Sequence, residues 1–394
     1  MRYRRIIILF CVCAAFFLTV MLPTAYAEER TREQSPEDEL EENTDNQLDG
    51  LDLSELDRFI SSLDDRFISV GVKEYIKKII NGEFGNGPEV FFKISADIAF
   101  KNAVSLAPMM IAIVIICLLS GFVSGITSDF LKKSTREIIF FVCYALIIVI
   151  LLTQVTAYIG SVKGLLNNLT RLMNIIFPIL LTLMSALGSA VSAASYQPLM
   201  ATLAVTVITV INSVVLPLFT ATILFSIIGN MSETVKLDGF RSFFKTAANW
   251  LLGAMFTLFM LFVTVEGITG AALDNVTINA VKFALSSYVP VLGGYLSDGF
   301  DLMLGSLVLI KNALGFTGIM ILLSVLLSPI IKIAVFILAL KLTAAIAEPI
   351  ADKRISKMIS GLASNMKLLA AAVIGVGFMF FLTIMLVIMT ANVF

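Results

Sequence analysis

Residues 302–350 read LMLGSLVLIKNALGFTGIMILLSVLLSPIIKIAVFILALKLTAAIAEPI. Pro329 divides this stretch into two apolar runs, 302–327 and 330–350, and each is long enough to cross a hydrocarbon core about 30 Å thick as a helix. A segment in lipid must pair its own backbone groups, because no water is present to do so. The stretch therefore predicts membrane-spanning α-helices.

The rest of the chain has the same apolar character. Of its 394 residues, 58% are hydrophobic and 14% are charged, and the mean hydropathy is +0.95, whereas soluble domains are about half apolar and about a quarter charged. This composition predicts an all-α polytopic membrane protein. Eight apolar runs occur, at residues 103–127, 138–160, 172–194, 199–229, 247–270, 302–327, 330–350 and 368–390. A first count is therefore eight crossings, all within a transmembrane domain at 101–394.

The first 27 residues have the pattern of a secretory signal peptide. Basic side chains precede an apolar run at residues 6–22, and the small-residue site Ala25-Tyr26-Ala27 follows it. Cleavage is predicted before Glu28. The alternative is an uncleaved anchor, since the run is just long enough to span a membrane. Both interpretations place Glu28 outside the cytoplasm.

Two kinds of segment follow this leader. Residues 28–50 are acidic and poor in aromatic side chains, so they cannot bury enough apolar surface to offset their ordering entropy, and they are predicted to be disordered. Residues 51–100 carry apolar side chains at helical spacing, with Ser54 as a possible N-cap and a third stretch at 90–100. We expect extracytoplasmic amphipathic helices there, lying on the bilayer, on the transmembrane bundle or on a partner.

The loops between the apolar runs test the count of crossings. The basic loops are residues 128–137, 230–246 and 351–367. Such loops stay on the cytoplasmic side, but eight crossings would place 230–246 outside. Treating 172–194 and 288–310 as re-entrant hairpins, and 311–350 as one long bent span, gives six crossings with all three loops inside. The sequence leaves both versions open.

Paired prolines indicate a possible internal repeat of residues 138–246 and 250–358, because Pro178 and Pro217 have the same separation as Pro290 and Pro329. Eight crossings would make the halves inverted, and six would make them parallel. Proline in a membrane helix frees backbone groups that protein neighbours or water must satisfy. The candidate helix breaks are Pro178, Pro217, Pro290, Gly293, Gly294 and Pro329.

Polar side chains within the apolar runs form the candidate functional residues. A lysine at the centre of a membrane helix costs about 3 kcal/mol, so such groups normally face a bundle interior, a cavity or a partner. The alternative is snorkelling to the membrane surface, or an ion pair between Lys341 and Glu348 two turns apart. The candidate pore-lining or partner-docking residues are Glu266, Asp298, Asp301, Lys311, Asn312, Lys332, Lys341 and Glu348.

Several classes of function are excluded by residue types that the chain lacks. Histidine is absent, which excludes Ser-His-Asp and Cys-His catalysis, His-ligated zinc and haem held by a proximal His. The four cysteines follow no disulfide or metal-binding pattern, and no phosphate-binding loop or dinucleotide-binding glycine motif occurs. We therefore expect no enzymatic activity, no cofactor, no metal and no nucleic-acid partner.

Some stretches resemble a known family. The runs YVPVLGGYLSD at 288–298 and LIKNALGFTG at 309–318 resemble stretches of the stage III sporulation protein AE family of endospore-forming bacteria. Lys133-Ser-Thr before the second long helix and FPILLTLM at 177–184 are similar as well. The likeness covers nearly all of the chain beyond Leu51 but not the acidic residues 28–50.

The resemblance implies an integral membrane subunit of a channel-like, secretion-type complex that links mother cell and forespore during endospore formation. The implied location is the mother-cell membrane around the forespore, with the N-terminal region outside the cytoplasm. The implied partners are ring-forming and other membrane proteins of the same operon, a secretion-type ATPase, a forespore membrane protein across the intermembrane space, and membrane lipid. The alternative is a self-contained secondary transporter of an unknown solute.

Overall fold

The computed structural model describes residues 36–63, 71–82, 87–126, 133–231, 237–288 and 293–390. Within these ranges the regular structure is helical and no strand occurs. This arrangement confirms the predicted all-α polytopic fold. The predicted signal peptide lies outside the described residues.

Three short helices precede a set of long ones. The short helices are α1 (Pro36–Asp49), α2 (Ser54–Ser62) and α3 (Val72–Ile80). The long helices are α4 (Gly87–Ile126), α5 (Lys133–Ala186), α6 (Ala190–Val210), α7 (Leu216–Met231), α8 (Asp238–Tyr288), α9 (Gly293–Ala347) and α10 (Lys353–Met389). A π-helical turn at Ile211–Val215 joins α6 to α7, and Val210, Ile211 and Leu216 at its two ends all have helical dihedral angles, so these two helices form one rod.

Among the described residues, six helical segments are long and apolar enough to cross a membrane, rather than the eight of the first count. The predicted re-entrant hairpins are wrong. Residues 172–186 are the last turns of α5, and α9 runs without interruption from Gly293 past Pro329. Hydropathy alone divides these helices, because polar side chains between two apolar runs look like a loop.

The long rods alternate in direction, and one set of their ends meets. The Tyr144 hydroxyl donates to the main-chain carbonyl of Ile227 at 2.6 Å, which joins the start of α5 to the end of α7. The Arg354 guanidinium lies 3.6 Å from the centre of the Phe140 ring, which adds the start of α10. The helix ends that flank the three basic loops therefore lie together, as the six-crossing version predicts. We call this the basic end.

Exposed large apolar side chains form a belt around the half of the rods nearest the basic end. They occur at 104–122 in α4, 138–149 in α5, 205–228 across α6 and α7, 240–265 in α8 and 338–346 in α9. On α4, the exposed side chains of Val90, Phe92 and Phe100 continue beyond this range, away from the basic end. At 1.5 Å per residue, the part on α4 is about 27 Å long, close to the thickness of a hydrocarbon core. We refer to this surface as the apolar belt, and it has the height that a lipid-facing surface requires.

Beyond the apolar belt, three helices continue as a packed bundle that we call the column. It comprises residues 161–186 of α5, 302–323 of α9 and 375–389 of α10. Here large exposed apolar side chains are few, and residues such as Leu180 and Ile384 are fully buried. The α5 and α9 helices, with 54 and 55 residues, are each about 80 Å long. They therefore extend well past a bilayer.

The π-helical turn lies directly before a proline of the possible repeat. Pro217 is the second residue of α7, and it cannot donate a backbone hydrogen bond to the preceding turn. A π turn re-routes the hydrogen bonds there and so lets the rod continue. Pro178 and Pro329 lie inside α5 and α9, Pro290 lies outside the described residues, and the repeat itself stays a prediction.

The disorder predicted for residues 28–50 is wrong for Pro36–Asp49, which forms α1. Proline at the first position and acids in the first turn both favour a helix start. Residues 42–394 form one compact unit, and within it Leu48 is fully buried while Lys77 pairs with Asp45 at 2.9 Å. These tertiary contacts offset the entropy lost when the segment becomes ordered, which its own composition could not offset. Residues 28–35 lie outside the described part.

The helices predicted within residues 51–100 form, with two differences. Ser54 is the first residue of α2 rather than its N-cap, and its backbone N–H donates to the Asp52 carboxylate at 3.0 Å. Hydrogen bonding from the Ser54 side chain, together with this backbone bond, lowers the pKa of Asp52. The third stretch, 90–100, is the start of the long α4. The apolar faces of α2 and α3 are buried on this same chain, with the Arg171 guanidinium 5.6 Å from the Phe59 ring centre.

Candidate functional site: a polar cleft at the edge of the apolar belt

Lys311 is buried in the column, where its ammonium caps the end of another helix. Its Nζ donates to the main-chain carbonyl of Ile388 at 3.0 Å and also to that of Thr390. These oxygens lie at the C-terminus of α10, where carbonyls lack partners within the helix and the helix dipole favours a cation. The Thr390 hydroxyl lies 3.2 Å from the Tyr196 hydroxyl, so the cap also contacts α6. Lys311 thus has a structural role, which is to cap the C-terminus of α10.

The other predicted charges on α9 lie apart. Lys332 and Lys341 are both exposed, and Lys332 alone of the two lines a cleft, as their spacing of two and a half turns predicts. Glu348 is exposed as well, and among the described side chains no ion pair joins it to Lys341. The buried Oδ1 of Asn312 accepts no hydrogen bond from the described part of the chain.

Three further predicted residues are described through their backbone alone. Asp298 and Asp301 belong to the first turns of α9, and Glu266 belongs to α8. Gly293 and Gly294 are the first two residues of α9. The predicted grouping of Asp298 and Asp301 with Lys311 and Asn312 stays a prediction, because it depends on side chains outside the described part.

A cleft of about 770 Å³ lies between α4, α5 and α9. Apolar side chains such as Leu63, Ile94 and Ile98 contribute to its wall, but most lining side chains are polar. The charged and amide-bearing lining residues are Asp97, Lys101, Asn102, Gln154, Asn168 and Lys332. Serine hydroxyls from all three helices add further donors and acceptors. We call this the polar cleft, and we take it as the candidate functional site.

Helix lengths place the polar cleft relative to the apolar belt. Near the basic end, Gly121 of α4 meets the main-chain carbonyl of Ile350. Asn102 lies 19 residues before Gly121 and Lys332 lies 18 residues before Ile350, so both are about 28 Å from that contact. The belt on α4 spans 104–122. The polar cleft therefore lies next to this part of the belt, about one hydrocarbon-core thickness from the basic end. Its α4 residues fall within Glu89–Phe122, the part of α4 that is long and apolar enough to cross a membrane.

Asn102 ties the three walls of the polar cleft together. Its side-chain amide donates to the main-chain carbonyl of Lys332 at 3.2 Å, and it also shares a hydrogen bond with the Tyr158 hydroxyl. The Tyr158 ring in turn stacks on Phe336, with ring centres 4.5 Å apart. One amide thus links α4, α5 and α9, which fixes the separation of the walls.

Proline and charge shape the chemistry of the polar cleft. Because Pro329 has no N–H, the carbonyl of Val325 one turn earlier loses its helical donor, and both residues line the cleft. On α4, the Lys101 ammonium pairs with the Asp97 carboxylate at 2.8 Å. Lys332 makes no ion pair with a described residue. The lining charges therefore sum to one excess positive charge.

Sequence reasoning named Lys332 but missed most of the polar cleft. Asp97, Lys101 and Asn102 fall in the stretch 90–100 and just after it, which was assigned to a separate amphipathic helix. The available signal was their spacing: Asp97 and Lys101 are one turn apart and lead directly into an apolar run. Among the described residues, no group of three or more acidic or sulfur-bearing side chains is placed to hold a metal ion.

Comparison with known proteins identifies the family. A family model described as stage III sporulation protein AE matches residues 70–391. The chain belongs to this family. Stage III sporulation protein AE of Bacillus subtilis (strain 168) is 24% identical over 320 residues, which cover 81% of this chain and 80% of the relative. No solved structure shows a significant match.

The part matched by the stage III sporulation protein AE model includes α3 to α10, and so includes the polar cleft, the apolar belt and the Lys311 cap. Helices α1 and α2 precede residue 70 and lie outside it. The chain is thus a multi-pass helical protein of a sporulation family.

Proposed function

We propose that the chain is an integral membrane subunit of a multi-protein, secretion-like channel complex that links mother cell and forespore during endospore formation. Membership of the stage III sporulation protein AE family supports a role in sporulation. The observation that carries the proposal is the continuity of α5 and α9. Each helix passes through the apolar belt into the column, so the protein is both anchored in a bilayer and extended beyond it.

The direction of this extension follows from charge. The helix ends beside the three basic loops lie together, and basic loops favour the cytoplasmic side. We therefore propose that the basic end faces the mother-cell cytoplasm and that the column, with α1 to α3, faces the space between the two membranes. The predicted cleavable or anchoring leader gives the same orientation.

The surface offered to partners differs from the sequence-based expectation. The apolar faces of α2 and α3 pack on this chain, with Leu56, Phe59 and Ile76 buried. What the short helices present outward is polar, including the exposed carboxylates of Glu42 in α1 and Glu55 in α2. We propose that ring-forming proteins of the complex contact the column through this polar surface, and that the role is structural rather than enzymatic.

The proposal is tested by purification from sporulating cells. The tagged full-length chain is expected to co-purify with ring-forming proteins of the same operon and with the secretion-type ATPase. Reversing charge at the outward face of α1 and α2, with Glu42→Lys and Glu55→Lys together, should reduce recovery of the ring proteins and leave the yield of the chain unchanged. If every partner were recovered in unchanged amount, the ring-forming proteins would not contact the column through this polar surface.

The rival function, a self-contained secondary transporter, draws on one observation. The polar cleft contains a proline-freed carbonyl in a membrane helix, which is a feature of substrate sites in transporters. A transporter should move a solute when the purified chain alone is reconstituted in vesicles. A subunit of a complex should be inactive alone and should require its partners.

A further inference from the structure

We propose that the polar cleft binds the phosphate of an anionic phospholipid headgroup. A phosphodiester carries one negative charge and offers acceptor oxygens to ammonium groups, hydroxyls and amides. The polar cleft supplies all three kinds of donor, and its lining carries one excess positive charge. The chemistry of the site and of this ligand therefore match.

Position favours a lipid as the source of the phosphate. The polar cleft lies next to the apolar belt, about one hydrocarbon-core thickness from the basic end, where a phospholipid places its phosphate while its acyl chains extend along the belt. Basic pockets between membrane helices are known to bind anionic headgroups. Exposed apolar side chains on α4, including Phe100 and those from Val104 onward, lie beside and below Lys101 and Asn102 and offer a surface for the acyl chains.

Lys332 is the expected primary contact. Its ammonium makes no ion pair with a described residue, whereas Lys101 is paired with Asp97 at 2.8 Å. A lysine about 28 Å from the helix contact at the basic end can extend its long side chain toward the membrane surface and keep its charge near the headgroups. Lys101 and the serine hydroxyls of α9, Ser324 and Ser328, line the same cleft and supply further hydrogen-bond donors.

The volume of the polar cleft agrees with a headgroup and not merely with a single ion. At about 770 Å³, it falls within the range of roughly 300–1,000 Å³ that small-ligand pockets occupy. Asn102 holds the three walls together through the Lys332 carbonyl and Tyr158. The site is therefore formed before any ligand enters it, which lowers the cost of binding.

The test compares lipid retention by three forms of the full-length chain. The wild type, Lys332→Gln and the control Lys341→Gln are purified in detergent with added phosphatidylglycerol or phosphatidylcholine, and bound lipid is measured by native mass spectrometry. Lys341 is a matched control because it is also exposed on α9 but does not line the cleft. Far-ultraviolet circular dichroism and Tm establish that each variant is folded.

We expect the wild type and Lys341→Gln to retain phosphatidylglycerol in preference to phosphatidylcholine. Lys332→Gln should bind it about tenfold more weakly, since it loses one charge-assisted contact, and Lys332→Arg should restore retention. Inorganic phosphate alone is tested as well. If it protects the wild type but not Lys332→Gln against thermal unfolding and also displaces the lipid, the cleft is a phosphate site whose ligand is free phosphate rather than a lipid headgroup. Equal retention by the wild type and a folded Lys332→Gln, or an equal loss in Lys341→Gln, would overturn the proposal. None of these readouts depends on sporulation, so the result is separate from the proposed role in a channel complex.

Discussion

The Nζ of Lys311 lies 3.0 Å from the main-chain carbonyl oxygen of Ile388, although the two residues belong to different helices. A cation fully buried between apolar helices is costly unless its donors are satisfied. Here the cation and the unpaired carbonyls at the end of α10 satisfy each other. The contact fastens the last turn of α10 to the middle of the column.

Replacing Lys311 should destabilise the column. Lys311→Met keeps much of the side-chain volume but leaves the carbonyls of Ile388 and Thr390 without this donor, which should cost about 1–3 kcal/mol. The control is Lys341→Met, at an exposed position on the same helix, where stability should be unchanged or slightly raised. Reversible unfolding in mixed micelles measures both. A Lys311→Met variant as stable as the wild type would show that the cap contributes little.

A close helix contact near the basic end predicts opposite effects for two glycine substitutions. A Cβ at Gly121 would clash with the main-chain carbonyl oxygen of Ile350, whereas a Cβ at Gly160 would meet nothing within 4 Å. Gly121→Ala should therefore cost about 1–3 kcal/mol through overpacking. Gly160→Ala should gain about 0.5–1 kcal/mol, because alanine is the better helix former. The Tm of the two variants in the same detergent compares them, and a stabilised Gly121→Ala would contradict the close approach.

The basic end should respond to acid through Asp352. This carboxylate accepts from the backbone N–H of Arg354 at 2.8 Å and caps α10. Burial favours a higher pKa, but hydrogen bonds and charge from Arg354 outweigh it and hold the pKa of Asp352 below its ordinary value of 3.8. A carboxylate whose pKa is depressed by folding contributes stability that is complete above the unfolded value and is lost as the pH falls through the folded one.

The expected result is a cap whose contribution is constant near neutral pH and declines below pH 3.8. Asp352→Ala should cost about 1 kcal/mol at neutral pH, and Asp352→Asn should cost less because asparagine also caps helices well. Tm measured against pH provides the comparison. If Asp352→Asn lost stability in acid as steeply as the wild type, other carboxylates would be responsible.

Orientation can be measured with single cysteines introduced after Cys117 and Cys143 are replaced by serine. The positions are Asn43→Cys in α1, which is exposed, and Asp238→Cys at the start of α8. A maleimide that cannot cross membranes should label Asn43→Cys on intact cells and should label Asp238→Cys after permeabilisation alone. Labelling of Asp238→Cys on intact cells would contradict six crossings with all three basic loops inside.

Hydropathy and loop charge predicted much of this fold. The apolar runs correctly mark where helices lie, and the helix ends that flank the three basic loops lie together, as six crossings require. The continuity of α5 could not be predicted in this way. Lys163, Asn168 and Arg171 interrupt its apolar run, yet they lie beyond the apolar belt, where a helix can carry polar side chains on its outer face.

The polar cleft was largely hidden from the sequence. Its hydrogen bond from Asn102 to the Lys332 carbonyl joins residues 230 positions apart, and one sequence contains no information about which turns of distant helices lie at the same depth. Likewise, α1 is held by tertiary contacts such as the burial of Leu48 and the pairing of Asp45 with Lys77. Local composition predicts disorder for such a segment, because it does not include contacts made by the folded chain.

Because α5 and α9 are uninterrupted, a movement of either helix within the apolar belt also moves its far end in the column. One part of each helix lies in the apolar belt and the other part lies in the column, so each helix would pivot at the membrane surface. A tilt of about 5° within the bilayer would swing a far end some 50 Å away by roughly 4 Å. A change in the thickness of the host membrane that tilts these helices would therefore displace any protein bound at the far end of the column.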